Sequence, residues 1–437
     1  MKFLHTSDWH VGRTLNGWSL LEEQEWAFQQ IVDLAISEKV DGVIISGDLY
    51  DRAVPPVDAI KLFNKTLARL VLEEQIPVYA ISGNHDGAER LHFGRDFFQH
   101  QGLHLSTRLE EAFEPIELEN CQIFLLPFID PIDARIYYKD DEGKEIQGIG
   151  DALTYILEDM EKAFDPDKAH VLVAHFAVSK KDDSDGQGLR ELMLSETSNT
   201  VGGLTNVTSD LFKSFDYVAL GHIHTRFASP TKRVQYSGSP VAFNVKEAKR
   251  KEEKGVYILE LDASGDMSQT FHTLEVKRPI VALQESFETL MSPEFYKNQP
   301  CQKAWFAFDI QLSSRKELEG INVRAQLEEI YGTDIVEITF SRLGDVREEN
   351  LTVDQHLKDL EMQSPQEIVF DFYQTVTGGD VLSERQTALV EIILWKENNL
   401  FELLSIEPQN LLNLVTHFLD LIPKLFNFLT TNLIHND

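Results

Sequence analysis

The stretch YVALGHIHTR, residues 217–226, joins an apolar run to a pair of histidines. Tyr217 to Leu220 has the composition of a buried strand, and His222 and His224 follow it two positions apart. Side chains two residues apart in an extended chain point the same way, so both imidazoles can face one pocket. Imidazole is a common ligand of metal ions. The stretch therefore predicts a metal site in a loop that follows a strand.

Four more short motifs place side chains that can bind metals where a predicted strand ends. They are SDWH at 7–10, GDLYD at 47–51, GNHD at 83–86 and AHF at 174–176. The candidate ligands of all five motifs are Asp8, His10, Asp48, Asn84, His175, His222 and His224. In α/β sheets, ligands collect beyond the carboxyl ends of strands, so we expect these five loops to meet at one site.

The chemistry of this ligand set indicates two divalent ions. Mixed carboxylate, imidazole and amide ligands suit an ion of intermediate hardness such as Mn²⁺, with Fe and Zn as alternatives. The set is too large for one tetrahedral site, and paired ions about 3.5–4 Å apart are typical of phosphoester cleavage. Asp48 is central in the order of ligands, which predicts that it bridges the ions. The backbone is expected to turn sharply beneath the ions at three flanking glycines, Gly47, Gly83 and Gly221.

The overall charge is strongly acidic, with a formal net charge of −32 over 437 residues. Proteins that bind nucleic acids are usually basic, because Lys and Arg contacts with phosphates dominate their affinity. An anionic substrate must therefore be attracted by something local. Two divalent ions held by only two carboxylates, Asp8 and Asp48, leave a site with net positive charge, which would attract a phosphate.

Composition also bears on location. The two cysteines, Cys121 and Cys301, lie far apart, which argues against a disulfide framework and fits a reducing compartment. The N-terminal residues lack the features of a secretory signal, and no run approaches the roughly 18 apolar residues of a membrane span. The sequence therefore predicts a cytoplasmic protein without membrane attachment.

The chain divides into an α/β part and smaller C-terminal segments. Predicted strands at 3–6, 43–45 and 77–81 alternate with helices at 20–36 and 57–72, and later strands at 123–126, 171–174, 217–220, 233–237 and 256–261 suggest a second sheet. After about residue 278, strands at 305–312 and 335–340 flank a helix at 318–331 and form a small α/β unit. An acidic stretch at 344–363 reads as a linker, and two capping boxes at 364–367 and 383–386 predict a helical hairpin.

In this order and at these spacings, the five motifs resemble the calcineurin-like metallophosphoesterase family over about residues 1–260. The resemblance implies a two-sheet αββα sandwich and phosphodiester hydrolysis with two divalent ions, Mn²⁺ being favoured and Mg²⁺ an alternative. The sequence YSGSP at 236–240 and the C-terminal segments are most similar to a branch of the family that cuts DNA as both exonuclease and endonuclease.

Resemblance to this branch implies the domain organisation and the partners. Its predicted parts are a nuclease domain at 1–278, an α/β cap at 279–343, a linker at 344–363, a helical hairpin at 364–395 and a tail of open role at 396–437. The hairpin is implied to dock on the coiled coil of an SbcC-type ATPase. A homodimer, DNA as substrate, and work in DNA repair, recombination and replication are further implications of the resemblance.

The family pattern also implies roles for single residues. It assigns Asp8, His10, Asp48 and His224 to one ion, and Asp48, Asn84, His175 and His222 to the other. His85 is implied to contact the scissile phosphate and protonate the leaving alkoxide, with Asp51 and Asp86 in support. Arg52 stands where archaeal and eukaryotic relatives often have histidine, and its role is open.

Alternative interpretations stay open at this point. The basic cluster at 246–251 is first read as a surface turn, and as a contact with the DNA backbone second, together with Lys180–Lys181 and Lys232–Arg233. The alternative enzyme is a stand-alone metallophosphoesterase acting on small phosphoesters, which would have little need for a partner-docking hairpin. A non-enzymatic scaffold on the same fold would be expected to have lost ligands, and none of the candidate ligands is replaced.

Overall fold

The computed structural model describes residues 1–141, 143–180, 207–250, 252–318 and 320–342. All of them belong to one compact unit, Met1–Gly344. The predicted linker, hairpin and tail lie outside the described residues. Within the described part, no helix is both long enough and apolar enough to span a bilayer.

The described elements alternate between strands and helices over most of this unit. The strands are β1 (Lys2–Thr6), β2 (Thr14–Leu15), β3 (Trp18–Ser19), β4 (Gly42–Ile45), β5 (Val78–Ile81), β6 (Leu103–Ser106), β7 (Ile116–Glu117), β8 (Cys121–Leu125), β9 (Ala169–His175), β10 (Val178–Ser179), β11 (Val207–Thr208), β12 (Tyr217–Gly221), β13 (Val234–Tyr236), β14 (Gly255–Leu261), β15 (Met267–Thr273), β16 (Ile280–Ser286), β17 (Trp305–Leu312) and β18 (Ile335–Arg342). The α-helices are α1 (Leu21–Ser37), α2 (Val57–Ala68), α3 (Ala88–His92), α4 (Arg95–Gln99), α5 (Pro131–Tyr137), α6 (Ile149–Glu161), α7 (Val245–Lys249), α8 (Phe287–Met291), α9 (Pro293–Tyr296) and α10 (Val323–Tyr331).

The first sheet has the strand order β15-β14-β1-β4-β5-β6. Strands β1, β4, β5 and β6 pair in parallel, and β14 and β15 add an antiparallel edge. Helix α1 covers one face because Ala27, Phe28, Ile31 and Ala35 recur at helical spacing and form one apolar stripe. This stripe packs with Val43 of β4 in one hydrophobic core.

The second sheet has the strand order β13-β12-β9-β8-β7, and its outer face carries α6. Leu153 and Ile156 of this helix pack with Leu172 and Val218 of the sheet. A separate core, which includes Ile44 of the first sheet and Val171 and Tyr217 of the second, lies between the two sheets. Strands buried on both faces read as continuous apolar runs, which explains GVII in β4 and YVAL in β12. The unit is thus an α/β protein with mixed sheets.

A third sheet, β16-β17-β18, is entirely parallel and packs with α10. The strand predicted at 305–312 is β17, and the one predicted at 335–340 is β18 with two more residues. The helix predicted from residue 318 starts at Val323, because Gly320 takes a φ of 76° and Asn322 caps the helix by accepting from Ala325 N at 3.1 Å. Left-handed backbone at Gly320 cannot be part of a right-handed helix.

Arg278 joins this third sheet to the first part of the chain. Its guanidinium donates to Glu23 at 2.6 Å and Asp334 at 3.1 Å, and it lies 4.1 Å from the ring centroid of Trp305. Glu23 is only 4% exposed, and the indole of Trp305 also donates to it at 3.2 Å. A buried carboxylate therefore depends on Arg278 for its counter-charge.

We expect Arg278→Ala to lower the free energy of unfolding by about 2 kcal/mol, because hydrogen bonds to a buried charged group are lost. Lys277→Ala is the matched control, since Lys277 pairs at 2.8 Å with Glu22 on the surface. Exposed pairs of this kind contribute less than about 1 kcal/mol. Urea denaturation of both variants measures the difference, and equal losses would contradict the role given to Arg278.

Candidate active site

The predicted ligands lie in loops at the carboxyl ends of neighbouring parallel strands. Asp8 and His10 follow β1, Asp48 follows β4, Asn84 follows β5, His175 ends β9, and His222 and His224 follow β12. Strands β1, β4 and β5 are neighbours in the first sheet, and β9 and β12 are neighbours in the second. The two sheets therefore bring these loops to one place, as the distances between the side chains show.

The first group of side chains is centred on His10 and His224. Their Nε2 atoms lie 3.1 Å apart. Ligand atoms of Asp8, His10 and His224 all lie within 4.8 Å of one another, and the three residues are buried. Two imidazole nitrogens facing each other beside a carboxylate form a donor set that fits a divalent cation.

A second group lies around His175, Asn84 and His222. The amide oxygen Oδ1 of Asn84 is 3.0 Å from His175 Nε2 and 2.9 Å from His222 Nδ1. Ligand atoms of Asp8, Asp48 and His175 also lie within 4.8 Å of one another. Asn84 is exposed and His222 is half-buried, so the site is open to solvent on this side.

Asp48 lies between the two groups. Its Oδ2 is 3.3 Å from His10 Nε2 and 3.3 Å from His175 Nε2, while its Oδ1 accepts from the main-chain N–H of His85 at 2.9 Å. One carboxylate oxygen that faces an imidazole from each group has the position that a bridging ligand needs. The structure thus brings all seven candidate ligands together.

Burial and neighbouring charges shift the pKa values of these groups in opposite directions. Burial opposes the charge on His175, but the adjacent Asp48 carboxylate outweighs it and raises the pKa of His175 to about 9. For Asp48, burial is likewise outweighed by His175 and His10, so its pKa lies well below the usual range. Burial lowers the pKa of His10 and raises that of Asp8. A cluster that holds an ionised carboxylate below the surface fits a bound cation.

Four of the ligand residues have left-handed backbone. Asp8, His10, Asp48 and His222 have φ values of 52°, 41°, 51° and 98°. Such conformations are uncommon outside glycine and persist where the surrounding structure enforces them, often at functional sites. At the first loop, this enforcement includes Trp9, which is buried and stacks on an aromatic ring of α1.

These conformations correct two expectations from the sequence. Gly47 does take a turn with a φ of 86°, but Gly83 and Gly221 do not have positive φ values. They are needed for close approach, because a Cβ at Gly83 would overlap Asp48 and a Cβ at Gly221 would overlap the Ser46 carbonyl. Moreover, β12 ends at Gly221, so the two histidines that follow lie in a loop and not in an extended strand.

His85 lies at the edge of the cluster, and its ring centroid is 4.7 Å from that of His10. Its Nδ1 is 3.0 Å from the main-chain carbonyl of Asp51. Since a carbonyl only accepts hydrogen bonds, Nδ1 carries the hydrogen and Nε2 is the nitrogen that can exchange a proton with a substrate. Two hydrogen bonds therefore fix His85: its main-chain N–H binds the carboxylate of Asp48, and its ring binds the main-chain carbonyl of Asp51.

The structure places Asp51 and Asp86 around the loops. The carboxylate of Asp51 pairs with Arg13 at 2.9 Å and lies 3.8 Å from His10 Nδ1. The carboxylate of Asp86 accepts hydrogen bonds from the main-chain N–H groups of Leu49, Tyr50 and Gly83. The carboxylate of Asp86 thus joins the loops that carry Asp48 and Asn84, whereas the carboxylate of Asp51 joins the Asp48 loop to the loop that carries His10. Arg52 is exposed.

Three further residues that support the site were missed from the sequence. Gln24 of α1 donates to the carbonyls of Trp9 and His10 at 3.0 and 2.8 Å. Gln24 could have been recognised from the sequence, because it is a polar residue within the apolar, buried face of an amphipathic helix. Glu247 and Lys254 lie behind His224, and nothing in the basic cluster at 246–251 indicates that its one acidic residue is buried.

The fold and the site together define the class of protein. Mixed α/β sheets with a buried carboxylate–imidazole cluster at their carboxyl ends are features of a metal-dependent phosphoesterase. Residues 1–226 match the family model for calcineurin-like phosphoesterase. The SbcD subunit of the SbcCD nuclease from Staphylococcus epidermidis is 31% identical over 401 residues, which cover 91% of this chain and all of that protein.

A second relative, the SbcD subunit of the SbcCD nuclease from Staphylococcus saprophyticus subsp. saprophyticus, is 30% identical over 396 residues, or 90% of this chain and 98% of that protein. The chain belongs to the calcineurin-like phosphoesterase family and, within it, to the family of SbcD nuclease subunits. The resemblance indicated by the five motifs is thereby confirmed. The solved structure of TT1561 of Thermus thermophilus covers 62% of this chain and 98% of its own at 12% identity, and its TM-score of 0.32 supports no argument.

Proposed function

We propose that the chain is the nuclease subunit of an SbcCD-type complex and hydrolyses DNA phosphodiesters as exonuclease and endonuclease, in the processing of DNA ends and hairpins during repair, recombination and replication. The observation that carries the proposal is the position of Asp48, whose Oδ2 lies 3.3 Å from imidazoles of two separate ligand groups. Such a carboxylate suits a site with two divalent ions, which is a common arrangement for phosphoester cleavage. The names of the relatives agree with it.

The proposed ions are Mn²⁺, with Mg²⁺ as the alternative. One would be held by Asp8, His10, Asp48 and His224, and the other by Asp48, Asn84, His175 and His222, which the distances between these side chains support. When bound, the two ions supply charge that stabilises the phosphate transition state and acidify a water molecule. The mixture of nitrogen and oxygen ligands favours Mn²⁺ over the harder Mg²⁺.

The chain's own residues handle the leaving group. In this step His85 acts in its cationic form, with a hydrogen on each ring nitrogen, and gives the Nε2 proton to the leaving alkoxide. Its Nδ1–H stays on the Asp51 carbonyl, so the neutral tautomer that remains has Nε2 free to take up a proton again. The Oδ1 atom of Asp48 anchors the main chain of His85 at 2.9 Å, so the proton donor is fixed to the ligand loop. Asp51 and Asp86 are positioning residues in this mechanism, because their carboxylates hold loops.

In the proposed mechanism, exposed basic residues near the site attract DNA to this acidic chain. Helix α7 lies beside the site, since its Glu247 is 3.7 Å from His224 Nδ1, and Lys246 and Lys249 on the same helix are exposed. Their exposure beside the site supports the proposal that they contact the DNA backbone. Lys232 and Arg233 are also exposed, whereas Lys181 lies outside the described residues.

The proposed assembly has two kinds of protein partner. Residues 279–343 are the cap of the nuclease domain at 1–278, and the hairpin at 364–395, beyond the linker at 344–363, docks on an SbcC-type ATPase. The name of the relatives, which makes each of them one component of an SbcCD nuclease, supports the second part. A second copy of the chain is the other partner, and the exposed Phe93 and Phe97, at 83% and 80%, offer an apolar surface for it.

The function is tested with the full chain, metal-free and then supplied with Mn²⁺ or Mg²⁺. We expect cleavage of single-stranded DNA and of a small chromogenic phosphodiester with Mn²⁺, weaker cleavage with Mg²⁺ and none with a chelator, because the nitrogen ligands hold Mn²⁺ better. Co-expression with an SbcC-type ATPase is expected to retain the full chain and lose a chain lacking 364–395. Light scattering of the same preparations gives the oligomeric state.

Each outcome has a distinct reading. Cleavage of the small phosphodiester without any cleavage of DNA would favour the stand-alone phosphoesterase. Metal binding without cleavage of either substrate would favour a non-enzymatic scaffold. Equal capture of the full and shortened chains would move the ATPase contact away from the hairpin.

A further inference from the structure

A buried pair of opposite charges lies directly behind His224. Glu247 Oε1 is 3.7 Å from His224 Nδ1, and Glu247 Oε2 is 2.7 Å from Lys254 Nζ. Glu247 is 2% exposed and Lys254 is 7% exposed. Charges are seldom buried without a specific reason, because removing them from water is costly. The position of this pair behind a ligand therefore needs an account.

Lys254 also holds the main chain of the ligand loop. Its ammonium donates to the His224 carbonyl at 2.9 Å and to the Ser239 hydroxyl at 3.0 Å. The same cation thus touches the carboxylate beside the ring of His224 and the carbonyl of its backbone. The pair contacts both ends of this ligand residue.

Glu247 is itself held in place at the start of α7. Its main-chain N–H donates to Asn244 Oδ1 at 2.8 Å, and the amide of Asn244 donates to Glu247 Oε1 at 2.8 Å. The carboxylate is therefore fixed by a helix cap on one oxygen and by Lys254 on the other. It places a fixed negative charge 3.7 Å from the nitrogen of His224 that points away from His10.

The other ligand group lacks this kind of support at His175. There the Nδ1 atom is 2.7 Å from the neutral main-chain carbonyl of Ser46. A carboxylate behind a ligating imidazole fixes the ring and makes it a stronger donor than a neutral acceptor does. The two groups should therefore differ in how tightly they hold a cation.

We propose that Glu247, held by Lys254, is a positioning residue that orients His224 and tightens the binding of the ion assigned to His10 and His224. The inference rests on the proposed function in so far as the cluster binds two ions. Glu247 does not touch the substrate. Its effect is selective for one of the two ions.

The test is calorimetric titration of metal-free full-length chain with Mn²⁺, comparing the wild type with Glu247→Gln. Glutamine keeps the shape and can still accept from Asn244, but it removes the negative charge behind His224. We expect one of the two affinities to fall by about 10–100-fold, the usual loss when such a partner of a ligand is removed, and the other to stay unchanged. Cleavage activity is not needed for this readout.

Glu111→Gln is the matched control. Glu111 pairs with Arg95 at 3.0 Å and lies 3.4 Å from the ring of His92, which is not a candidate ligand. Its replacement removes the same charge from a similar setting, so both Mn²⁺ affinities are expected to match the wild type. A fall in this control would show that loss of any such pair weakens metal binding.

A second variant separates positioning from stability. Lys254→Met leaves Glu247 charged and unpaired, so the melting temperature should fall, whereas Glu247→Gln with Lys254→Met removes both charges and should recover part of it. The weak affinity is expected to persist in the double variant. Recovery of wild-type affinity together with stability would overturn the inference.

The outcomes distinguish this inference from the proposed function. If the wild type binds two Mn²⁺ ions and Glu247→Gln binds both equally well, or binds both equally poorly, only the inference fails. If the wild type binds no Mn²⁺, the proposed function fails and the inference falls with it.

Discussion

Replacing Asp48 by asparagine is expected to reduce bound Mn²⁺ from two ions to at most one per chain and to abolish phosphodiester cleavage. The reason is its position between the two ligand groups, where one oxygen lies 3.3 Å from His10 Nε2 and 3.3 Å from His175 Nε2. Asparagine keeps the size of the side chain but brings no charge. It also turns either an amide nitrogen or a weaker oxygen ligand toward the imidazoles.

The expected size follows from what the ions contribute to catalysis. Metal ions supply several kcal/mol of transition-state stabilisation. A loss of about 4 kcal/mol corresponds to a fall in rate of roughly 10³-fold, and we expect at least that for Asp48→Asn. Elemental analysis of the dialysed protein measures the ions, and cleavage of single-stranded DNA measures the rate.

Asp41→Asn is the control for this experiment. Asp41 also accepts a main-chain hydrogen bond, from Lys2 N at 2.7 Å, but it is exposed and lies outside the cluster. Its replacement should change neither metal content nor rate. If Asp48→Asn retained both ions, the bridging role would have to be given up, even if the rate fell.

The alternation of strands and helices could be predicted well from the sequence, because the elements that form the cores carry strong patterns. The helix predicted at 20–36 is α1, Leu21–Ser37, and the strand predicted at 217–220 is β12, Tyr217–Gly221. The strand β15, Met267–Thr273, was not predicted. It is an edge strand whose residues are half-buried or exposed, so its apolar pattern is weak.

The meeting of the candidate ligands at one place could be predicted from the sequence, but not their local conformations. Asp8, His10 and His224 are recognisable because their types suit metal ions and because they follow apolar strands. The left-handed backbone of Asp8 and His10 has no signature in residue type, since it is imposed by packing around the loop. The burial of Glu247 could not be predicted either, because it depends on a contact with Lys254.

The chain is acidic overall, and the proposed metal site would attract phosphate locally. Among the seven candidate ligands, Asp8 and Asp48 are the carboxylates, and the imidazoles and Asn84 would bind a metal as neutral groups, so two divalent ions would leave an excess of positive charge there. Under the proposed function, the net negative charge of the chain would disfavour DNA that is not aligned with this point. High salt should therefore affect binding of DNA less steeply than it does for a protein that relies on a broad basic surface.

His85→Gln is expected to retain both Mn²⁺ ions and yet cleave single-stranded DNA about 10²–10⁴-fold more slowly, the usual contribution of a general acid. The ring of His85 contacts the cluster through its edge, 4.7 Å from the ring of His10, while its Nδ1 is engaged by the Asp51 carbonyl at 3.0 Å. Glutamine can still hydrogen bond to a phosphate oxygen. It cannot deliver a proton to a leaving alkoxide.

The choice of leaving group makes this prediction specific. An alkoxide leaving from DNA needs a proton, whereas nitrophenolate is stable without one. His85→Gln should therefore lose far less activity on a nitrophenyl phosphodiester than on DNA, because general-acid catalysis contributes little when the leaving group needs no proton.

His92→Gln serves as the control, since His92 is a half-buried histidine that hydrogen bonds Thr107 at 3.0 Å and is not a candidate ligand. Equal losses on both substrates would show that His85 positions the phosphate and does not act as an acid.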